Sequence, residues 1–163
     1  MKIRSMLPVA LILLMTTGCY FPISGKVVDA ETNAPIEGAV VLVEWTKTHG
    51  IGDRSTEVYK VQEIISDKEG NISLEGCNSP FINSPRLTIY KQGYVAWNNT
   101  YIFPTFVRRA NFSWHDNVTI SLQTFSSNLS RKDHVFFLHT VTHWGKLINA
   151  AYRWEELDVE GQK

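Results

Sequence analysis

ISGKVVDAETNAPIEGAVVLVEWT, residues 23–46, is the stretch of sequence that decides the fold. Residues 23–29 and 39–46 have the β-branched composition of strands, and the link between them contains an Asn, a Pro and a Gly, which favour a turn. Five consecutive apolar residues, 39–43, are typical of a strand that is central in its sheet or buried on both faces. The stretch therefore predicts two strands joined by a turn.

Short strands recur along the rest of the first 125 residues. Gly70 closes a tight turn at residues 67–70, in a position that favours positive φ, and residues 47–57 are expected to form a flexible loop. About seven short strands separated by turns predict a mainly β protein with a β-sandwich architecture. The further strand-like segments are residues 58–66, 71–75, 86–91, 94–103 and 118–123.

Three blocks of this region resemble a known family. The first is Gly25-x-Val27-x-Asp29 followed by Thr32-Asn33 and Pro35-Ile36-x-Gly38-Ala39-x-Val41, the second is residues 66–74, and the third ends in Gly93-Tyr94. Together they resemble a carboxypeptidase regulatory-like domain, which implies a transthyretin-like (prealbumin-like) β-sandwich over residues 19–125. The peptidase site of that family lies in a separate zinc-binding domain, so the resemblance implies no catalytic activity here.

Residues 126–163 have a different pattern and form a C-terminal helical extension. Ser130 is a predicted N-cap, with Asp133 three residues later. Apolar residues at 137, 141, 144, 148 and 151 follow at spacings of four and three, which predicts an amphipathic helix of about 25 residues. Gly145 could divide this helix into two, and a final strand at 135–138 is the competing interpretation.

The N-terminus has the layout of a secretory signal peptide. Lys2 and Arg4 precede nine apolar residues, 7–15, which are too few for a membrane-spanning helix of about 20 residues. Thr16-Thr17-Gly18-Cys19 resembles the lipobox of bacterial lipoproteins, which implies cleavage after residue 18, diacylglycerol on the Cys19 sulfur and often an acylated amino group. An ordinary signal peptide is the alternative. Tyr20 favours the outer membrane, on its periplasmic face or surface, if the source is Gram-negative.

Charge and cysteine content limit the partners. The chain has 16 basic and 16 acidic residues, so loss of Lys2 and Arg4 with the signal peptide leaves 14 basic residues and a net charge of about −2. Without a basic stripe we expect no nucleic-acid partner. Cys77 could pair with Cys19 in an oxidising compartment. If Cys19 carries lipid, Cys77 is expected to be a buried free thiol.

The sequence contains few candidate site residues. Trp97, Tyr101 and Trp114 are candidates for stacking on a sugar, although most large aromatic residues of a sandwich pack in its core. His139 and His143 would share one face of a helix and form a possible metal pair. No His-x-x-Glu or Gly-x-Ser-x-Gly segment is present, so we expect neither catalytic residues nor a cofactor.

These observations predict a noncatalytic lipoprotein of the bacterial cell envelope, anchored in a membrane through Cys19. The sandwich would act as a structural or protein-interaction module whose partner is an envelope protein or a surface glycan. The alternative is a glycan- or peptidoglycan-binding module that uses surface aromatic residues. A second alternative is metal or small-molecule binding through His139 and His143.

Overall fold

A computed structural model describes residues 19–20, 22–50, 54–79 and 81–161. The predicted signal peptide, residues 1–18, lies outside the described residues. The strands are β1 (Cys19–Tyr20), β2 (Ile23–Asp29), β3 (Val40–His49), β4 (Ser55–Ile65), β5 (Asn71–Leu74), β6 (Cys77–Asn78), β7 (Arg86–Tyr90), β8 (Trp97–Asn98), β9 (Tyr101–Ile102), β10 (Val107–Arg108) and β11 (Val118–Leu122). The helices are α1 (Arg131–Val141) and α2 (Lys146–Gly161).

Two sheets form the sandwich. One has the strand order β11-β2-β5, with β11 parallel to β2, and the other is antiparallel in the order β4-β3-β7-β8. Two short ladders, β1–β6 and β9–β10, lie beside them. The prediction of a mainly β sandwich with a C-terminal helical extension is confirmed.

Strand β3 is buried on both of its faces. Val41, Val43 and Trp45 point into the sandwich core, the apolar cluster between the two sheets. Val40 and Leu42 point the other way into the helix-side core, the apolar cluster between the four-stranded sheet and the helices. This double burial explains the uninterrupted apolar run of β3, because alternate side chains of a strand face opposite sides.

The two helices cover the outer face of the four-stranded sheet. Ser130 caps α1, since its side chain accepts a hydrogen bond from the Asp133 amide at 3.2 Å. The predicted long helix is divided, as the Gly145 alternative anticipated, and the strand alternative at 135–138 is wrong. No helix among the described residues is long and apolar enough to cross a membrane.

The division between the helices has a clear cause. Glu63 of β4 accepts hydrogen bonds from the amides of residues 146, 147 and 148 at 2.8–2.9 Å, so α2 starts on this carboxylate. Negative charge at the N-terminus of a helix also interacts favourably with the helix dipole. A Cβ on Gly145 would lie 2.5 Å from Ile148 Cγ2 and 2.8 Å from Leu42 Cδ2, so glycine lets the connection pass over the sheet without displacing these two side chains.

Two local predictions are wrong. Residues 47–57 are not mainly a flexible loop, because β3 and β4 continue as an antiparallel hairpin to the pair His49–Ser55. Beside this pair, the hydroxyls of Thr48 and Thr56 form a hydrogen bond of 3.2 Å. Residues 94–103 do not form one strand. Asn98 Oδ1 accepts hydrogen bonds from the amides of Thr100 and Tyr101, and this turn separates β8 from β9.

Candidate functional site

The predicted lipid-attachment residue lies in a short β-ladder. The backbone of Cys19 is opposite Asn78, and that of Tyr20 is opposite Cys77. Cys77 is a free cysteine, 4% exposed in the sandwich core, as predicted for a small apolar residue. Residue 19 is therefore held against the domain by backbone pairing, four residues before β2 begins.

Two of the three predicted sugar-stacking residues belong to one aromatic cluster. Trp97 and Trp114 are half-buried and both contact Phe112 edge-to-face, with ring centroids 5.2 and 5.0 Å apart. Tyr101, also half-buried, packs against the helix-side core instead. The structure thus brings Trp97 and Trp114 together and places Tyr101 elsewhere. Phe112, which links the pair, was not predicted.

Trp114 lines an open groove of about 720 Å³ beside the aromatic cluster. Its volume falls within the range of about 300–1,000 Å³ that is usual for small-molecule sites. The wall combines the aromatic rings of Phe112 and Trp114 with short hydroxyl and amide side chains and three arginines. These polar residues are Thr46, Thr56, Asn83, Ser84, Asn99 and Thr100, and the arginines are Arg86, Arg108 and Arg109.

The groove wall is fixed by hydrogen bonds behind it. Asn99 accepts a bond from the Leu87 amide at 2.9 Å and donates one to the Pro85 carbonyl at 3.0 Å. Arg109 Nε donates to the Asn98 carbonyl at 2.9 Å, and its guanidinium lies 4.7 Å from the centre of the Trp97 ring. Burial lowers the pKa of Arg109, because its cation is partly removed from water.

A buried carboxylate lies behind the third arginine. Glu44 is 1% exposed, and its Oε1 accepts a hydrogen bond from the Trp144 amide at 3.1 Å. Its Oε2 is 3.8 Å from Arg86 Nε, and neither atom has a hydrogen-bond partner among the described residues. Burial raises the pKa of Glu44, and the charge of Arg86 opposes that rise only in part.

The predicted histidine pair does not share a helix. His139 lies in α1, where its Nε2 is 2.9 Å from Glu156 Oε1. His143 follows the end of α1 at Val141, and its ring packs against Trp144. The geometric premise of a metal pair on one helical face is therefore wrong. No three His, Cys, Asp or Glu side chains in the described part of the chain are grouped to hold a metal ion.

Sequence reasoning missed a buried polar network under the helices. Glu155 Oε2 is 2.8 Å from His134 Nδ1, and Glu155 Oε1 accepts a 2.8 Å hydrogen bond from the Tyr90 hydroxyl. All three residues are at most 1% exposed. A signal existed, because His134 and Glu155 occupy positions on the otherwise apolar stripes that include Phe137 and Tyr152.

The contacts of His134 fix its protonation and its role. The Ala96 amide donates to His134 Nε2 at 2.9 Å, so this nitrogen is an acceptor and the ring proton lies on Nδ1, facing Glu155. A His–carboxylate pair is common in catalytic sites, but there the second nitrogen faces a nucleophile. In this chain both nitrogens are occupied inside the core, so the network joins helices to sheet.

No protein-family model matches the chain, and no curated protein matches it in sequence. Three solved structures with partial similarity are bacterial pilins. They are a streptococcal ancillary pilin (14% identity, TM-score 0.34, 66% of this chain and 30% of the pilin), the group B streptococcus pilus 2b backbone protein (14%, 0.38, 66% and 42%) and a shaft pilin from Lactobacillus rhamnosus GG (17%, 0.35, 66% and 48%). The chain spans less than half the length of each.

Proposed function

We propose that this chain is a noncatalytic protein of the bacterial cell envelope, anchored in a membrane by lipid on Cys19. The observation that carries the proposal is the order of a positively charged segment, nine apolar residues and Thr16-Thr17-Gly18-Cys19. In a Gram-negative source the anchor would lie in the outer membrane. The sandwich and its helical layer would act as a structural or protein-interaction module.

The geometry around Cys19 supports a close-lying anchor. About four residues reach only about 13–14 Å when fully extended. The pairing of Cys19 with Asn78 shortens this tether further, because residue 19 is already part of a ladder. The domain would then lie directly at the bilayer surface, where partners in or near the membrane are accessible.

Contacts between the first two sequence blocks support membership of the carboxypeptidase regulatory-like, transthyretin-like group. Ser66 accepts a hydrogen bond from the Ala39 amide at 2.8 Å and donates one to the Ile36 carbonyl at 2.7 Å. The Val27 amide donates to the Gly70 carbonyl at 2.8 Å. The residues that carry the resemblance therefore contact each other, as expected if the two blocks belong to one fold.

The structural roles of four ionisable side chains support the noncatalytic part of the proposal. His134, Glu155 and Tyr90 satisfy one another inside the helix-side core. Asp29 accepts hydrogen bonds from the amide and the hydroxyl of Thr32 and from the amide of Glu31, which lowers its pKa and stabilises the turn after β2. These groups hold the fold together.

Metabolic labelling with an alkyne analogue of palmitate tests the anchor, because the chain offers a matched control in its two cysteines. The wild-type protein and Cys77→Ser should incorporate the label and sediment with membranes. Cys19→Ser should do neither. Label on Cys19→Ser, or its retention in washed membranes, would contradict the proposal.

Glycan binding is the second candidate function, and the groove favours it. A half-buried Trp114 beside Phe112, together with hydroxyl and amide groups, is the side-chain combination with which proteins contact sugar rings. The detergent-solubilised protein should then be retained by insoluble peptidoglycan or another surface polysaccharide. Trp114→Leu should lose this retention, whereas Tyr59→Leu, which changes an exposed aromatic residue outside the groove, should keep it. Equal retention of both variants would argue against this function.

A further inference from the structure

The groove has a positive charge that the rest of the chain does not share. Three arginines line it, and no Asp or Glu is among its lining residues. Over the whole chain basic and acidic residues are equal in number, 16 of each. Clefts lined by one sign of charge concentrate ligands of the opposite sign. The groove is therefore a place on the described surface whose charge is complementary to an anionic ligand.

Two of these guanidinium groups have no carboxylate partner. Arg108 is exposed on β10 and makes neither an ion pair nor a hydrogen bond with any side chain that the structure describes. Arg109 is half-buried between Trp97 and the Asn98 carbonyl, and no acidic group within the described ranges neutralises it. A partly desolvated cation without a counterion is stabilised when an anion binds, since charge-assisted hydrogen bonds replace lost hydration.

The third guanidinium, that of Arg86, lies 5.6 Å from the centre of the Trp144 ring and makes no hydrogen bond with Glu44. Glu44 approaches Arg86 from the buried side at 3.8 Å, which is too long for a hydrogen bond. The Arg86 side chain remains about one-third exposed where it lines the groove. Arg86 therefore adds positive charge beside the groove, while its guanidinium contacts Glu44 and Trp144.

The other wall residues indicate which anion fits. Trp114 and Phe112 offer apolar ring surface. The hydroxyls of Thr46, Thr56 and Thr100 each have one side-chain partner already. Because a hydroxyl has one donor and two acceptor positions, each of them keeps hydrogen-bonding capacity for a ligand. An acidic peptide would use the arginines, but its carboxylate side chains only accept hydrogen bonds, whereas a sugar hydroxyl both donates to and accepts from a wall hydroxyl. A saccharide with a carboxylate uses all three kinds of surface at once.

We propose that this groove binds a carboxylate-bearing oligosaccharide, with Arg108 and Arg109 pairing the carboxylate and Trp114 contacting a sugar face. The proposal rests on glycan binding as the second candidate function and names its ligand class. Uronic acid polymers and the lactyl-bearing sugar of peptidoglycan share this chemistry, and the experiment separates them.

Calorimetric titration of the detergent-solubilised protein with matched saccharide pairs tests the inference. One pair is tetragalacturonate and the galactose tetramer of the same linkage, and the other is the N-acetylglucosamine–N-acetylmuramic acid disaccharide and chitobiose. We expect at least one acidic member to bind about ten-fold more tightly than its neutral counterpart, and to weaken about ten-fold in Arg108→Gln. Arg153→Gln removes the same charge from an exposed position on α2 and should leave binding within about two-fold.

Each of the other possible outcomes refutes a defined part of the proposal. Equal binding of acidic and neutral members would refute the anionic specificity and leave glycan binding standing. Binding of neither pair would refute both. Tighter binding of a tetraglutamate peptide than of any saccharide would refute the saccharide class, and equal losses in Arg108→Gln and Arg153→Gln would refute this groove as the site.

Discussion

At the residue scale, Glu155 joins α2 to both the sheet and α1. Its carboxylate accepts hydrogen bonds from Tyr90 and His134, and Trp154 Nε1 donates to the same Tyr90 oxygen at 2.8 Å. Glu155→Ala would leave two buried donors without an acceptor, at a cost of about 1–3 kcal/mol each. We therefore predict a loss of about 3 kcal/mol in the free energy of unfolding, measured by urea denaturation.

The neighbouring residue provides the control for that variant. Glu156 pairs with His139, whose side chain is 56% exposed, and exposed ion pairs contribute little. Glu156→Ala should change the free energy of unfolding by less than about 0.5 kcal/mol. Similar losses in the two variants would mean that the buried network does not hold the helices.

Glu44 should make the folded protein less stable as the pH rises, which is the opposite of the usual effect of a carboxyl group. Because burial raises its pKa in the folded state above the ordinary value of 4.5, folding favours the protonated carboxyl. The free energy of unfolding should therefore decrease as the pH rises from 4.5 through the folded-state pKa of Glu44. Glu44→Gln keeps an acceptor for the Trp144 amide and should gain stability relative to the wild type over this interval. Urea midpoints measured between pH 4 and 7 check this, and parallel profiles would contradict it.

Gly70 combines a left-handed backbone with a close contact. Its φ is 76°, and a Cβ there would lie 2.4 Å from the Val27 carbonyl oxygen, whereas Gly93, with φ 87°, has open space around that position. Gly93→Ala should lower the free energy of unfolding only by the backbone strain of about 1–2 kcal/mol. Gly70→Ala should cost about 2 kcal/mol more, because the turn must move away from β2. Equal thermal midpoints of the two variants would refute the contact argument.

At the element scale, α2 depends on a carboxylate from another element. Three amides of its first turn bond Glu63, which lies about eighty residues earlier in the chain. We predict that Glu63→Ala destabilises the protein by about 1–2 kcal/mol and speeds hydrogen exchange at the start of α2. Glu57→Ala, on the same strand but paired with a half-exposed His49, is the control and should leave exchange unchanged.

Local patterns predicted those elements whose causes are local. The alternation of Val118, Ile120 and Leu122 predicted the buried face of β11 and its bounds to within one residue, and the Ser130 cap predicted the start of α1. The start of α2 could not be read in the same way, since its cap comes from distant Glu63. The hairpin extension at 47–57 also depends on distant support, because Asn83 donates hydrogen bonds to Thr46 and Thr48 across the sheet.

At the scale of the whole molecule, the four-stranded sheet is the middle layer of three. The apolar run 39–43 predicted its double burial, but no local pattern states that the C-terminal helices provide the second cover. The groove was likewise only partly predictable. Trp114 was a candidate from composition, whereas Arg86, Arg108 and Arg109 meet there because the start of β7 and the end of β10 lie beside the same groove. Sequence separation hides such a cluster.

A shared middle layer predicts that sandwich and helices unfold together. Phe137 is 0% exposed in the helix-side core, whereas the adjacent Phe136 is 63% exposed. Phe137→Ala should lower the free energy of unfolding by about 3–5 kcal/mol, and Phe136→Ala should lower it by less than about 0.5 kcal/mol. In both variants the urea transitions followed by circular dichroism at the helix band and by tryptophan fluorescence should coincide, because removal of α1 would expose the outer face of β3. A helix transition at lower urea than the fluorescence transition would show instead that the helical layer is an independent unit, with the sandwich stable beneath it.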